Sequence, residues 1–199
     1  LDICTGKYIY FLDSDDFIKE DTIEKCVELV QKDQSDLVIF NFNYVDEEGK
    51  IINSKKDVNI KPIWSVDDFW NNISDSGNTE LSIASVVAWN KLYKRELFSN
   101  IRYEVDRINE DSFIISDIIR QVNKISYINE KLYSYRVRSN SIMSSRGVKG
   151  ITDSPISIVK RCEYFIEFHY DHHLAGYLRT LIVEDRKSGS AGMPRPISY

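Results

Sequence analysis

Tyr8, Ile9, Tyr10, Phe11 and Leu12 form an unbroken row of aromatic, β-branched and large apolar residues that stops at Asp13, Asp15 and Asp16. Such a row predicts a strand buried on both faces of a parallel sheet. Carboxylates at the carboxyl end of a central strand lie where open α/β sheets bind ligands. Downstream, Asp21-Thr22-Ile23-Glu24 has the form of a capping box, and Ile23, Cys26, Val27 and Val30 recur at helical spacing. This predicts a helix ending near Asp33. From Asp36 to Tyr44 a second strand is expected, with Leu37, Ile39, Asn41 and Asn43 on one face and Val38, Phe40, Phe42 and Tyr44 on the other. The turn residues Asp46 to Lys50 then lead to a short antiparallel return at Ile51-Ile52.

Asn53 to Lys61 is polar and reads as a surface loop closed by Pro62. Ser65-Val66-Asp67-Asp68 caps a short helix carrying Phe69 and Trp70. Asn71 to Glu80 has the composition of a mobile loop. Ser82 to Tyr93 is apolar and β-rich, Lys94 to Phe98 is a helical turn, and Glu110-Asp111 opens an amphipathic helix through Phe113, Ile114, Ile118, Ile119 and Val122. Lys124 to Ile128 and Leu132 to Arg136 predict two short strands around an Asn129-Glu130-Lys131 turn. Asp153-Ser154-Pro155 starts a helix through Ile158, Val159, Cys162, Phe165 and Ile166, and Leu174 to Arg186 continues the helical pattern. Ser188 to Tyr199 is rich in Gly, Ser and Pro and reads as a flexible tail. The expected organisation is a partial α/β domain over 1–150, a helical segment over 151–187 and the tail over 188–199.

Composition narrows the classes. With 199 residues, 42% hydrophobic and 29% charged, the chain has the make-up of an ordinary globular domain. A formal charge of −5 with signs interspersed lacks the basic tract that nucleic acid requires, so no nucleic-acid partner is expected. Three well-separated cysteines argue against a disulfide framework and for a reducing compartment. No apolar run long enough for a bilayer is evident. The reading is cytoplasmic, with peripheral contact at the inner face of a membrane left open.

The acids suggest chemistry by themselves. Asp13 and Asp15 are one residue apart, so in an extended segment both face the same way and their carboxylates can share one divalent ion, Mg²⁺ or Mn²⁺, completed by phosphate oxygens. The plain alternative is a solvated turn, for which Asp-Ser-Asp-Asp is suited. For Glu110-Asp111 the plain alternative is helix capping; for Trp89, a core aromatic; for Lys91, Arg136 and Arg138, surface charge.

Four blocks, LDICTGKYIYFLDSDDFI, VAWNKLYKRELF, INEDSF and LYSYRVRSNSIM, come in an order that resembles bacterial family 2 glycosyltransferases of the GT-A fold. The resemblance runs from Leu1 to Met143 and implies a mixed sheet flanked by helices, with Leu1-Asp2 resembling the end of the helix before the D-x-D strand. It implies that the family's first strands, which hold the base and ribose, are missing from this chain; if that half is supplied neither in the native protein nor by a partner, the fragment is expected to bind donor poorly. It also implies an inverting transfer from a nucleotide-sugar to a saccharide or lipid-linked acceptor. Asp13 and Asp15 match the D-x-D acids, with Asp15 the better metal ligand, and Asp111 matches the general base. Trp89 and Lys91, with Glu110, match the acceptor side. Arg136 and Arg138 match a segment near the diphosphate; Arg138 falls about where relatives carry a metal-ligating His, so a three-ligand metal site is not expected.

Two other readings stand beside this one. Phe11-Leu12-Asp13-Ser14-Asp15 resembles the nucleophile strand of a haloacid dehalogenase-like phosphatase, but the Thr that motif needs is not supplied by Asp16-Phe17-Ile18. A truncated, non-catalytic domain would expose a strand edge and invite dimerisation or another partner. All three histidines, His169, His172 and His173, fall near a helix end. His169 with His172 or His173 could hold zinc from one helix face, but no third ligand is evident, and surface histidines are the preferred reading.

Overall fold

The computed structural model describes residues 1–53, 60–74, 79–138 and 147–179, with the backbone alone described at 53, 74, 79 and 147–152. Seven strands form one mixed sheet. They are β1 (Tyr8–Tyr10), β2 (Phe17–Ile18), β3 (Leu37–Val45), β4 (Ile51–Asn53), β5 (Ile63–Trp64), β6 (Lys91–Lys94) and β7 (Ile125–Arg136). The helices are α1 (Thr22–Asp33), α2 (Val66–Ser74), α3 (Thr79–Val86), α4 (Glu110–Ile119), α5 (Gly147–Glu167) and α6 (171–179), with a 3₁₀ turn at Arg95–Phe98. Among the described residues no helix is long and apolar enough to cross a membrane.

The long strands β3 and β7 run parallel from Leu37 opposite Ile125 to Val45 opposite Arg136. Beside them the sheet order is β1-β6-β3-β7-β2, and β4 and β5 pair with β3 and β7. The alternation predicted for β3 is realised. Leu37 and Ile39 face one core with Phe69, Trp70, Phe113, Ile114 and Phe165, drawn from α2, α4 and α5. Val38, Phe40 and Phe42 face the other core with Cys26 and Val30 of α1 and Ala84 of α3. The C-terminal helices thus share a core with the sheet.

Several expectations are corrected. β1 is a three-residue strand antiparallel to β6, its one partner among the described residues, rather than a central parallel strand. Its apolar row is nonetheless two-faced, since Ile9 and Phe11 join one core while Tyr8 and Tyr10 pack on the other. The Asp21 side chain makes no cap bond; it pairs with Lys25 at 2.9 Å. Ser82 to Val86 is helical despite its β-branched residues, because polar caps outweigh propensity. Ser82 Oγ donates to the Ile73 carbonyl at the end of α2 (3.0 Å), and Asn90 Nδ2 and Lys91 Nζ donate to the Ala84 carbonyl (2.9 and 2.6 Å). The two short strands expected after Lys124 are one strand, and the Asn129-Glu130 turn residues are a bulge opposite Phe40 and Asn41. Pro155 lies inside α5, not at its start.

Other expectations hold. α1 ends at Asp33, β4 returns antiparallel on β3, and Ser65 caps α2 reciprocally with Asp68, through Ser65 N to Asp68 Oδ2 (2.8 Å) and Asp68 N to Ser65 Oγ (3.2 Å). The loop expected over 71–80 is a further correction, being helical up to Ser74 and from Thr79; 75–78 lie outside the described residues, as do 54–59, 180–186 and the tail.

Asp36 ties together the starts of β3 and β7 and the end of β6. Its carboxylate accepts from Lys94 Nζ (2.6 Å) and from the amides of Asn123 (2.9 Å) and Lys124 (3.3 Å). Burial raises its pKa, but Lys94 and the two amides outweigh that and hold it below the usual value. The Asp36 contribution is therefore full above the unfolded carboxyl pKa of about 3.9 and is lost as pH falls through the lower folded value. Asp36→Asn is expected to cost about 1–3 kcal/mol at pH 7, and the deficit should shrink in denaturant melts at acid pH.

Candidate functional site

β1 ends at Tyr10, and the chain turns through Asp13 to Asp16, where Asp16 N donates to the Asp13 carbonyl (3.2 Å), before returning as β2. Because β2 pairs with the far end of β7, this turn is brought against Tyr133 to Arg138. Asp16, to which the sequence pattern assigns no role, is the anchor. Its Oδ2 accepts from Tyr133 Oη (2.6 Å) and its Oδ1 from Arg136 N (2.7 Å). Arg136 turns back along the same loop, donating to the Asp15 carbonyl (2.8 Å) and the Glu47 carbonyl. Arg138 Nε lies 3.4 Å from Asp15 Oδ2, both side chains being substantially exposed. Arg136 is therefore largely occupied in holding the turn, while Arg138 faces an acid of the D-x-D pair.

From the other side α4 brings Glu110 and Asp111. The approach to α4 passes through positive φ at Asp106 and Asn109, and it is held by Asp153 of α5, which accepts from Arg107 (3.0 Å) and from Ile108 N (2.9 Å). Asp111 Oδ2 accepts from Ala88 N at 3.1 Å, while Oδ1 is buried with no hydrogen-bond partner among the described residues. Burial, then the charges of Glu110 and, more weakly, Asp13, push the Asp111 carboxyl up to about 7 against the lowering effects of Ala88 N and Lys91. Asp13 is also raised, by loss of solvation and then by Asp16, Asp15 and Glu110. Acids about a hundred residues apart in sequence thus share one electrostatic field.

Trp89 and Lys91 are buried at the rim of this region. Trp89 stacks on Tyr133 at 4.3 Å between centroids and meets Phe42 edge-on at 4.9 Å, a core-aromatic position that also backs the tyrosine holding Asp16. Lys91 is fully buried; its ammonium donates to the carbonyls of Ala84 and Val87 and to Asn90 Oδ1 (2.8 Å), closing the end of α3. Burial brings it down to about 7, with Asp111 opposing the shift. The surface-charge alternative for Lys91 is thereby excluded.

Two further features escape the sequence. Tyr10 and Tyr103 place buried hydroxyls without hydrogen-bond partners among the described residues, and both titrate above their ordinary range through burial and the nearby acids. A single tyrosine, whether in an apolar row like Tyr10 or between charges like Tyr103, carries no signal for this. Likewise His172 and His173 meet Asp67 of α2, whereas His169, at positive φ before α6, is not part of the group. His173 is buried rather than at the surface.

The sequence pattern of glycosyl transferase family 2 matches residues 1–102. The chain belongs to this family. Glycosyltransferase GlyG of Streptococcus pneumoniae is 31% identical over 147 residues, covering 72% of this chain and 48% of the relative. Glycosyltransferase GlyA of the same organism is 25% identical over 203 residues, covering 98% of this chain and 28% of the relative. The chain thus spans about half the length of one such relative and less of the other. Among solved structures, S. aureus TarS 1–349 in complex with UDP-GlcNAc aligns with a TM-score of 0.65 and 19% identity, over 89% of this chain and 49% of that one. The TarS 1–349 complex with UDP gives 0.65 and 17%, over 98% and 53%. These likenesses place the mixed sheet and its helices among GT-A folds. Family membership decides against the dehalogenase-like phosphatase.

Lys91→Met removes the cation that lowers Asp111 while keeping the volume of the side chain. The Asp111 carboxyl is expected to titrate above about 7 in the variant, observable by carbon-detected NMR, and the end of α3 should lose amide-exchange protection.

Proposed function

We propose that the chain carries the donor-diphosphate and acceptor-activating half of an inverting glycosyltransferase site. The donor would be a nucleotide-sugar and the acceptor a saccharide or lipid-linked saccharide. The observation that carries this reading is Asp111: one oxygen is fixed by Ala88 N, and the other has no partner among the described residues, in buried surroundings that hold the carboxyl near 7. A carboxylate with a free lone pair and a pKa near the working pH is suited to take the proton of an acceptor hydroxyl as that oxygen attacks the anomeric carbon.

The Asp13 to Asp16 turn fits a divalent ion such as Mg²⁺ or Mn²⁺. Its donors are hard carboxylate oxygens, and burial followed by the neighbouring acids disfavours ionised Asp13, so a cation would offset both at this turn. Asp15 and Asp13 would hold the ion, whose chemistry when bound is to offset charge on the departing nucleoside diphosphate. Asp16 acts differently, since both its oxygens are committed to Tyr133 and Arg136 N and keep the turn against β7. Arg138, exposed beside Asp15, supplies a cation that can meet a phosphate oxygen, and Arg136 stiffens the loop behind it. Glu110 and Trp89 flank the acceptor side. Support for the donor class comes from the UDP and UDP-GlcNAc complexes of TarS, which shares the fold.

Calorimetry with nucleoside diphosphates and manganese, paired with a turnover assay, separates these roles. Asp15→Asn is expected to weaken manganese-dependent nucleotide binding by at least about tenfold. Asp111→Asn should leave that binding within about twofold and lower turnover by about 10²–10⁴. Turnover should rise with pH through about 7 as Asp111 loses its proton. Normal turnover in Asp111→Asn would sink the assignment of the base, and equal nucleotide binding by Asp15→Asn would sink that of the turn.

A further inference from the structure

His172 and His173 stand at the start of α6, and Asp67 stands in the first turn of α2. Nε2 of His172 lies 3.4 Å from Asp67 Oδ1, and Nε2 of His173 lies 3.5 Å from the same oxygen. One ligand atom from each residue fits within a group no more than 4.8 Å across. The His173 side chain is 2% exposed, and its Nε2 has no hydrogen-bond partner among the described residues. A buried, unpaired imidazole nitrogen is costly, and it points at a carboxylate oxygen from slightly too far for a good hydrogen bond.

We propose that Asp67, His172 and His173 bind a zinc ion that clips α6 to α2. Zinc bonds of about 2.0–2.2 Å in tetrahedral array set neighbouring donors about 3.3–3.5 Å apart, which is the spacing of each histidine nitrogen from Asp67 Oδ1. His172 is 60% exposed, so its ring is free to turn and close the remaining side. Water takes the fourth position, and the exposed side gives the ion a way in. Two imidazoles with one carboxylate favour zinc over the magnesium or manganese suited to an all-carboxylate site.

The surroundings suit this role. Asn71 Nδ2 donates to Asp67 Oδ2 at 3.0 Å, which orients the carboxylate and leaves Oδ1 toward the histidines. The His173 ring packs on Phe165 of α5, 5.4 Å between centroids, and is fixed before any ion arrives. Burial and the neighbouring His172 favour the neutral, ligating form of His173, with Asp67 opposing. Beyond the site, Tyr177 of α6 meets Arg161 (3.0 Å) and Phe165, so the ion would fasten the start of a helix already attached further along.

Cobalt(II) titration of the chain followed by visible absorption tests the site, with zinc as competitor. The expected result is one equivalent of tetrahedral cobalt, bleached by one equivalent of zinc and unaffected by magnesium. Zinc should also raise the melting temperature. Asp67→Asn and His172→Ala alter exposed side chains and should keep the fold, judged by circular dichroism, while weakening cobalt binding at least about tenfold each. Asp15→Asn should leave the cobalt spectrum unchanged, which keeps this test separate from that of the acidic turn. Absence of tetrahedral cobalt, or variants that bind it as the parent does, would overturn the proposal.

Discussion

The parallel ladder between β3 and β7 is the constraint on which the rest depends. It is pinned at its start by Asp36, whose carboxylate gathers the amides after α4 and the ammonium of Lys94. From there both strands run to the far end of the sheet, where β7 delivers Tyr133 and Arg136 to Asp16. The position of the acidic turn is thus set by a strand more than a hundred residues away, not by the short β1 that precedes it. A fault in register along β7 would move Tyr133 off Asp16 and release the turn, because a one-residue slip turns every side chain to the opposite face.

At that end the molecule concentrates negative charge and counters it sparingly. Against Asp13, Asp15, Asp16, Glu110 and Asp111 stand Arg136, Arg138 and the buried Lys91. Much of the guanidinium of Arg136 is turned to backbone carbonyls. Burial first, and then this imbalance, raises both Asp13 and Asp111. Such tension is a cost to folding that a ligand can relieve, which is why crowded carboxylates collect at functional sites.

The parts legible in the sequence are those set by local periodicity and by contiguous motifs. The two faces of β3, the extent of α1, the Ser65 cap and the acids opening α4 all follow from spacing of 2 or 3.6 residues or from cap chemistry. Ser82 to Val86 misleads because its helix is held by Asn90 and Lys91, whose reach to the Ala84 carbonyl no propensity scale includes. β1 misleads because an apolar row reports burial on two faces and says nothing of how many hydrogen-bonded neighbours a strand has. Asp111 is visible as a motif, but its unpaired oxygen is not. Asp67 is unconnected to the histidines in sequence because only the shared core of α2, α5 and α6 brings them together.

Helix α5 grips the hairpin of chain around α4 at two points. Asp153 holds the entry through Arg107 and Ile108, and Glu167 holds the exit through Arg120 at 2.5 Å. Both grips lie beyond residues 1–102, which carry the family pattern. The region outside the shared pattern is thus a splint for the carboxyl at its centre. Chimeras between relatives therefore have a natural seam: α4 and α5 must travel together, since either one grafted alone leaves Arg107 or Asp153 facing a stranger.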